Sequence, residues 1–192
     1  GKAELLRLKL RPGRHDVHMF RRKALHFRQK ISVETELENR SRLRFARELG
    51  VDLFRPGPAA QDPLNAALAE ATGHVLQRGA TDLLVLHADL PCATAAELRA
   101  LIAAHRARWR DDGAARITLV SDRMGTGTNC LLSTPPGAVA YRFGVDSRQQ
   151  HRAAATTAGA AFAEFDADGL RCDIDQPAEL AALVERSQSP QN

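Results

Sequence analysis

"DLLVLHA", residues 82–88, followed by Asp89-Leu90-Pro91, decides how this chain is read. Its apolar residues run without a break instead of alternating. A half-exposed strand alternates, whereas a strand covered on both faces reads as one continuous apolar run. Strand and helix patterns alternate around it. "LLRLKL" (5–10), "KISVE" (30–34), "VDLF" (51–54), "RITLV" (116–120), "CLLS" (130–133) and residues 161–166 read as strands. Residues 16–28, 35–49, 62–79, 94–109, 146–159 and 177–187 read as helices. Asp62 is placed to cap its helix, with Pro63 at the first helical position. The alternation predicts an α/β chain: one three-layer α/β/α domain over residues 1–192, with a mostly parallel, mixed sheet. Such sheets bind ligands beyond the carboxyl ends of their strands. The residues expected to face that crevice are therefore Asp89, Leu90 and Pro91.

Composition sets the class. Apolar residues make up 44% of the chain and charged residues 26%, as in ordinary globular proteins. No apolar run approaches the roughly 18 residues of a membrane span, and no signal-peptide pattern opens the sequence. Cys92, Cys130 and Cys172 are odd in number and form no CxxC pair, which disfavours a disulfide framework or zinc site and suits a reducing cytoplasm. The net charge of +4 is uneven. Residues 1–50 hold 14 Lys and Arg against 6 Asp and Glu; the remainder hold 13 against 17. The basic part has few aromatics and no nucleic-acid motif, so nucleic acid is not expected as a partner, nor is a membrane. Residues 188–192 read as a disordered tail.

Two sets of residues carry chemistry. Asp89, at the end of the buried strand, and Asp173 and Asp175 in "CDIDQP" are carboxylates of the kind that hold magnesium, which takes oxygen donors together with substrate phosphates. Each also has an ordinary reading, as a turn or helix cap. "DRMGTGTNCLL" (122–132) places glycines, threonines and Asn129 directly before a strand. Glycines there let the backbone come close to something, and hydroxyls and amides suit an anion. The plainer reading is a turn into a strand. His87, inside the buried strand, reads as a satisfied core histidine.

Taken together, "VLHADLPCATAAEL", "DRMGTGTNCLLSTPPGAVAYRFGVDS" and "DIDQPAEL" resemble the guanylyltransferases that activate 2-phospho-L-lactate in making coenzyme F-420. The resemblance covers about residues 46–183 and implies the Rossmann-like nucleotidyltransferase fold. It implies transfer of GMP from GTP to a small phosphorylated acid: 2-phospho-L-lactate, phosphoenolpyruvate or 3-phospho-D-glycerate. It implies Mg2+ on Asp89 and on Asp175, with Asp173 as the second choice. It implies an acceptor-phosphate site from Thr128, Asn129, Gly144 and Ser147. A homodimer is left open.

Residues 1–45 depart from the family's opening. "LKLRPG" (8–13) stands where its first strand would be, with Arg11 in place of the usual Lys, and Arg11 is the residue expected at the GTP triphosphate. "RSRL" (40–43) is similar to the family's second basic piece but lies out of place. Of the usual glycine-rich turn before "LNAAL", Leu64 and Asn65 remain, and Asn65 is expected near the guanine base. The alternative expectations are a non-catalytic relative that keeps the acceptor pocket, or a transferase using another nucleotide or a sugar phosphate.

Overall fold

The computed structural model describes residues 3–8, 30–33, 52–54, 62–108 and 113–173. The expected helices 16–28, 35–49 and 177–187, together with Arg11, residues 40–43, Asp175 and the tail at 188–192, lie outside the described residues. Seven strands form one sheet: β1 (Ala3–Leu8), β2 (Lys30–Val33), β3 (Asp52–Phe54), β4 (Asp82–His87), β5 (Arg116–Val120), β6 (Cys130–Thr134) and β7 (Ala161–Glu164). The described helices are α1 (Pro63–Gln77), α2 (Ala95–Arg108), α3 (Ser147–Ala158) and the short α4 (Asp168–Arg171).

The strand order is β3-β2-β1-β4-β6-β5-β7. β1 pairs in parallel with both β2 and β4, and β5 with β7. β6 alone among these strands runs against its neighbours, with Leu84 opposite Leu132 on β4 and Leu119 opposite Leu131 on β5. The expected mixed, mostly parallel sheet is therefore present.

The unbroken apolar run of β4 is explained by layers on both faces. Leu83 and Val85 pack with Ala67, Leu68, Ala71 and Val75 of α1 and Ala155 of α3. Leu84 and Leu86 face the other way, against Leu98 and Leu101 of α2 and Leu170 of α4. Leu83, Leu84, Leu101 and Leu170 are fully buried. Full burial of a leucine side chain stabilises by about 1.5–3 kcal/mol, so this central strand anchors both layers.

Element edges moved by small amounts. β1 is described over Ala3–Leu8, residues 9 and 10 lying outside the described residues, and α1 spans Pro63–Gln77. Asp62 does cap α1, its carboxylate accepting from the Asn65 amide. After β6, Pro135 and Pro136 have no backbone N–H to offer a ladder, and the chain returns along the α1 face without forming a strand. Val139, Tyr141 and Phe143 are buried on that return.

At the amino end of β4 lies a closed polar chain. Thr134 donates to Asp82, so its hydroxyl oxygen accepts the His105 Nε2 proton at 3.0 Å, and His105 Nδ1 accepts from Thr118 at 2.8 Å. Arg106 pairs with Asp82 at 2.9 Å. Burial holds His105 neutral and lowers its pKa from 6.5 to about 4, with Asp82 opposing the shift. His151, equally buried, is lowered to about 4 for the same leading reason. Both folded values lie below the unfolded value, so their stabilisation is complete above pH 6.5 and is lost as the pH falls toward 4. Thermal stability is therefore expected to fall from pH 7 to pH 5 by on the order of 1–2 kcal/mol per histidine. A melting temperature unchanged over that interval contradicts the neutral, buried assignment.

Candidate active site

The reversal of β6 places the loop 121–129 at the carboxyl end of β4. Two backbone bonds fasten it there: the His87 N–H donates to the Asn129 carbonyl at 3.0 Å, and the Asn129 N–H donates to the Val120 carbonyl at 2.9 Å. Asp89, two residues beyond β4 and half-buried, thus lies on the same end of the sheet as the GTGTN loop.

The loop wraps one of its own residues. The Asp122 carboxylate accepts the Thr126 amide at 2.8 Å and the Thr126 hydroxyl at 3.3 Å. A Cβ on Gly127 would stand 2.8 Å from the Asp122 carboxylate, so the close approach that requires glycine is to Asp122. Arg148, at the start of α3, donates its backbone N–H to the Thr126 carbonyl at 3.0 Å and its Nη1 to the Gly125 carbonyl at 2.9 Å. Its other guanidinium nitrogens grip Glu164.

Thr128 and Asn129 turn inward. The Ser147 hydroxyl donates to Thr128 Oγ1 at 3.1 Å, and Gly144 accepts the Ser147 N–H at 3.2 Å. The structure thus brings together Thr128, Gly144 and Ser147. Thr128 and Ser147 are both 2% exposed and engage each other. Thr128 Oγ1 also lies 3.1 Å from His151 Nδ1. A cavity of about 340 Å³ opens nearby, lined by Gly125, Thr126, Asp146, Arg148, Gln149 and Arg152. Its two arginines both bind Glu164, which compensates much of their charge.

The Asn129 carboxamide is engaged within the fold. Its Nδ2 donates to the Leu170 carbonyl at 3.2 Å and so holds α4. Glu97 holds the same helix, accepting the Gly169 N–H at 2.7 Å while closing the start of α2 with Thr94. Gly169 lies so close to the Asp89 turn that a methyl there would overlap the Cys92 carbonyl and meet Glu97 Oε2 at 2.5 Å. Arg171 donates to the carbonyls of Asp122 and Arg123. Asp173, two residues on and half-buried, follows this docked helix. A carboxylate such as Asp89 fits a hard divalent cation, which is held by one or two side chains plus substrate oxygens. Among the described residues, no group of three or more His, Cys, Asp or Glu side chains forms a fuller metal cage.

The Asn65 carboxamide is engaged with the Phe143 peptide. Its Nδ2 donates to the Phe143 carbonyl and its Oδ1 accepts the Phe143 N–H, both at 2.9 Å.

The proteins this chain is similar to act on the chemistry such a site suits. It is 38% identical over 139 residues to the phosphoenolpyruvate guanylyltransferase of Sphaerobacter thermophilus, covering 72% of this chain and 62% of that protein. It is 40% identical over 149 residues to the enzyme of the same name from Mycolicibacterium vanbaalenii, covering 76% and 63%. The chain is a relative of the phosphoenolpyruvate guanylyltransferases. It spans less than two thirds of the length of these two relatives. No family model matches it. In fold it is similar to a solved cytidylyltransferase from Leptospira borgpetersenii, with a TM-score of 0.61 at 13% identity, over 95% of this chain and 84% of that one. The Rossmann-like nucleotidyltransferase fold is thereby established for this guanylyltransferase relative.

Sequence reasoning missed four residues that build the site: Asp122, Glu97, Arg148 and His151. Thr94-x-x-Glu97 is a capping-box spacing and was open to reading. The other three act across the loop or between elements, at separations that no local pattern marks. Gly169→Ala is expected to destabilise by about 2 kcal/mol, in the range for overpacking. Gly73→Ala in α1, where a Cβ meets nothing within 4 Å, is the control and should be neutral or stabilising. Denaturant titration of both variants checks this; an equal effect at the two sites contradicts the tight docking of α4.

Proposed function

We propose that this chain transfers GMP from GTP to phosphoenolpyruvate, with 2-phospho-L-lactate and 3-phospho-D-glycerate as the alternative acceptors, in the cytoplasmic biosynthesis of coenzyme F-420. The observation that carries the reading is the convergence of the Asp89 turn, the docked α4 and the Thr128–Ser147 pair at one end of the sheet, in a relative of phosphoenolpyruvate guanylyltransferases.

A phosphate oxygen of the acceptor forms a bond to the α-phosphorus of GTP. The bond from that phosphorus to the bridging α–β oxygen breaks, and pyrophosphate leaves with the electron pair. No protein nucleophile is needed, so the residues bind, orient and offset charge. Asp89 with Asp175 or Asp173 would hold Mg2+, which when bound offsets the repulsion between two polyanions. Thr128, Gly144 and Ser147 receive the phosphorylated acid through hydroxyl and backbone donors, the groups an acceptor-only anion requires. Arg11 is assigned to the GTP triphosphate. A homodimer is compatible with the reading.

The test is pyrophosphate release from GTP and Mg2+ with each of the three acids. Turnover with phosphoenolpyruvate is expected. Asp89→Asn should lower it at least about a hundredfold, the order of a lost electrostatic stabiliser, with an unchanged unfolding curve. Binding of the acid without any turnover favours the non-catalytic relative, and turnover only with another nucleotide favours a different transferase. Near-parental turnover in Asp89→Asn removes that residue from the mechanism.

A further inference from the structure

The peptide just before Gly144 is held from two sides. From α1, the Asn65 carboxamide lies against Phe143 as a neighbouring strand would. It donates to the Phe143 carbonyl and accepts the Phe143 N–H, both at 2.9 Å. Its second amide proton points to Asp62, whose two oxygens lie 2.9 and 2.8 Å from Nδ2. Both donors are therefore engaged, and the amide has one orientation. From α3, His151 Nε2 accepts the Arg142 N–H at 3.0 Å. His151 is fully buried, with its ring edge-on to Phe143 at 4.8 Å.

The Arg142 bond has a consequence one step further. Nε2 accepts, so the neutral ring carries its proton on Nδ1, which faces Thr128 Oγ1 at 3.1 Å. Ser147 also donates to that oxygen. The Thr128 oxygen thus accepts from Ser147 and faces the Nδ1 proton, which the Ser147 backbone also engages, and Thr128's own proton remains to be given. The next residue, Gly144, has a φ of 131°, which L side chains rarely adopt.

We infer that Asn65 and His151 are positioning residues for the acceptor. Together they clamp peptides 142–143, set the Gly144 turn and hold Thr128 as a donor toward the phosphorylated acid. This replaces the expectation that Asn65 faces guanine. It rests on the reading of Thr128, Gly144 and Ser147 as the acceptor site.

Asn65→Asp keeps the shape and removes the donor, setting a carboxylate oxygen against the Phe143 carbonyl; Asn65→Ala removes both halves of the grip. Calorimetric titrations with phosphoenolpyruvate and with GTP, each with Mg2+, are made on the full chain and both variants, alongside amide hydrogen exchange. In Asn65→Asp the Kd for phosphoenolpyruvate should rise about tenfold, the size of a lost hydrogen bond, and that for GTP by less than about twofold. Exchange should quicken across 141–148 in both variants. A GTP loss equal to or larger than the phosphoenolpyruvate loss overturns the inference and returns Asn65 to the nucleotide. Unchanged exchange at 141–148 overturns it as well. If the parent binds neither ligand, the transferase reading has failed, and exchange at 141–148 alone decides whether the clamp exists.

Discussion

One reversal of chain direction organises this molecule. β6 enters the sheet against β4 and β5, and the connection from β5 must therefore turn at the carboxyl end of β4. The backbone bond from His87 to the Asn129 carbonyl seals that arrangement. Without it, the GTGTN loop has no reason to stand beside Asp89. With it, each later element finds a fixed partner: Asn129 holds α4, and Arg148 joins the loop to the start of α3.

Polar groups in this fold are buried in connected sets. Thr118, His105, Thr134, Asp82 and Arg106 form one at the amino end of β4; Ser147, Thr128, His151 and the Arg142 amide form another at the opposite end. An unsatisfied buried polar atom costs about 1–3 kcal/mol, so each set tolerates one arrangement and rejects others. The first set secures β6 against β4. The second gives the proposed acceptor end a defined hydrogen-bond polarity.

The sheet was legible because burial on both faces writes itself into β4 as four consecutive apolar residues, and β6 repeats the signal over Cys130, Leu131 and Leu132. The positions of Thr128, Gly144 and Ser147 were legible through the resemblance, and they do meet. What the glycines are for was not. Gly127 reads as room for a ligand until Asp122 is seen filling it. The resemblance placed Asn65 near the guanine base, but its bond to Phe143 was not legible, because that partner lies 78 residues away. α4 was missed because four residues carry no helical period; it is held by docking to Glu97 and Asn129 instead of by propensity.

The central claim is that GTP and a phosphorylated acid meet at the carboxyl end of β4. Amide hydrogen exchange of the full chain, with and without GTP, Mg2+ and phosphoenolpyruvate together, tests it most directly. The account predicts slowed exchange in 87–93, 122–129 and 142–150, with the amino end of β4 unchanged. Protection confined to other segments, or none at saturating ligand, contradicts it.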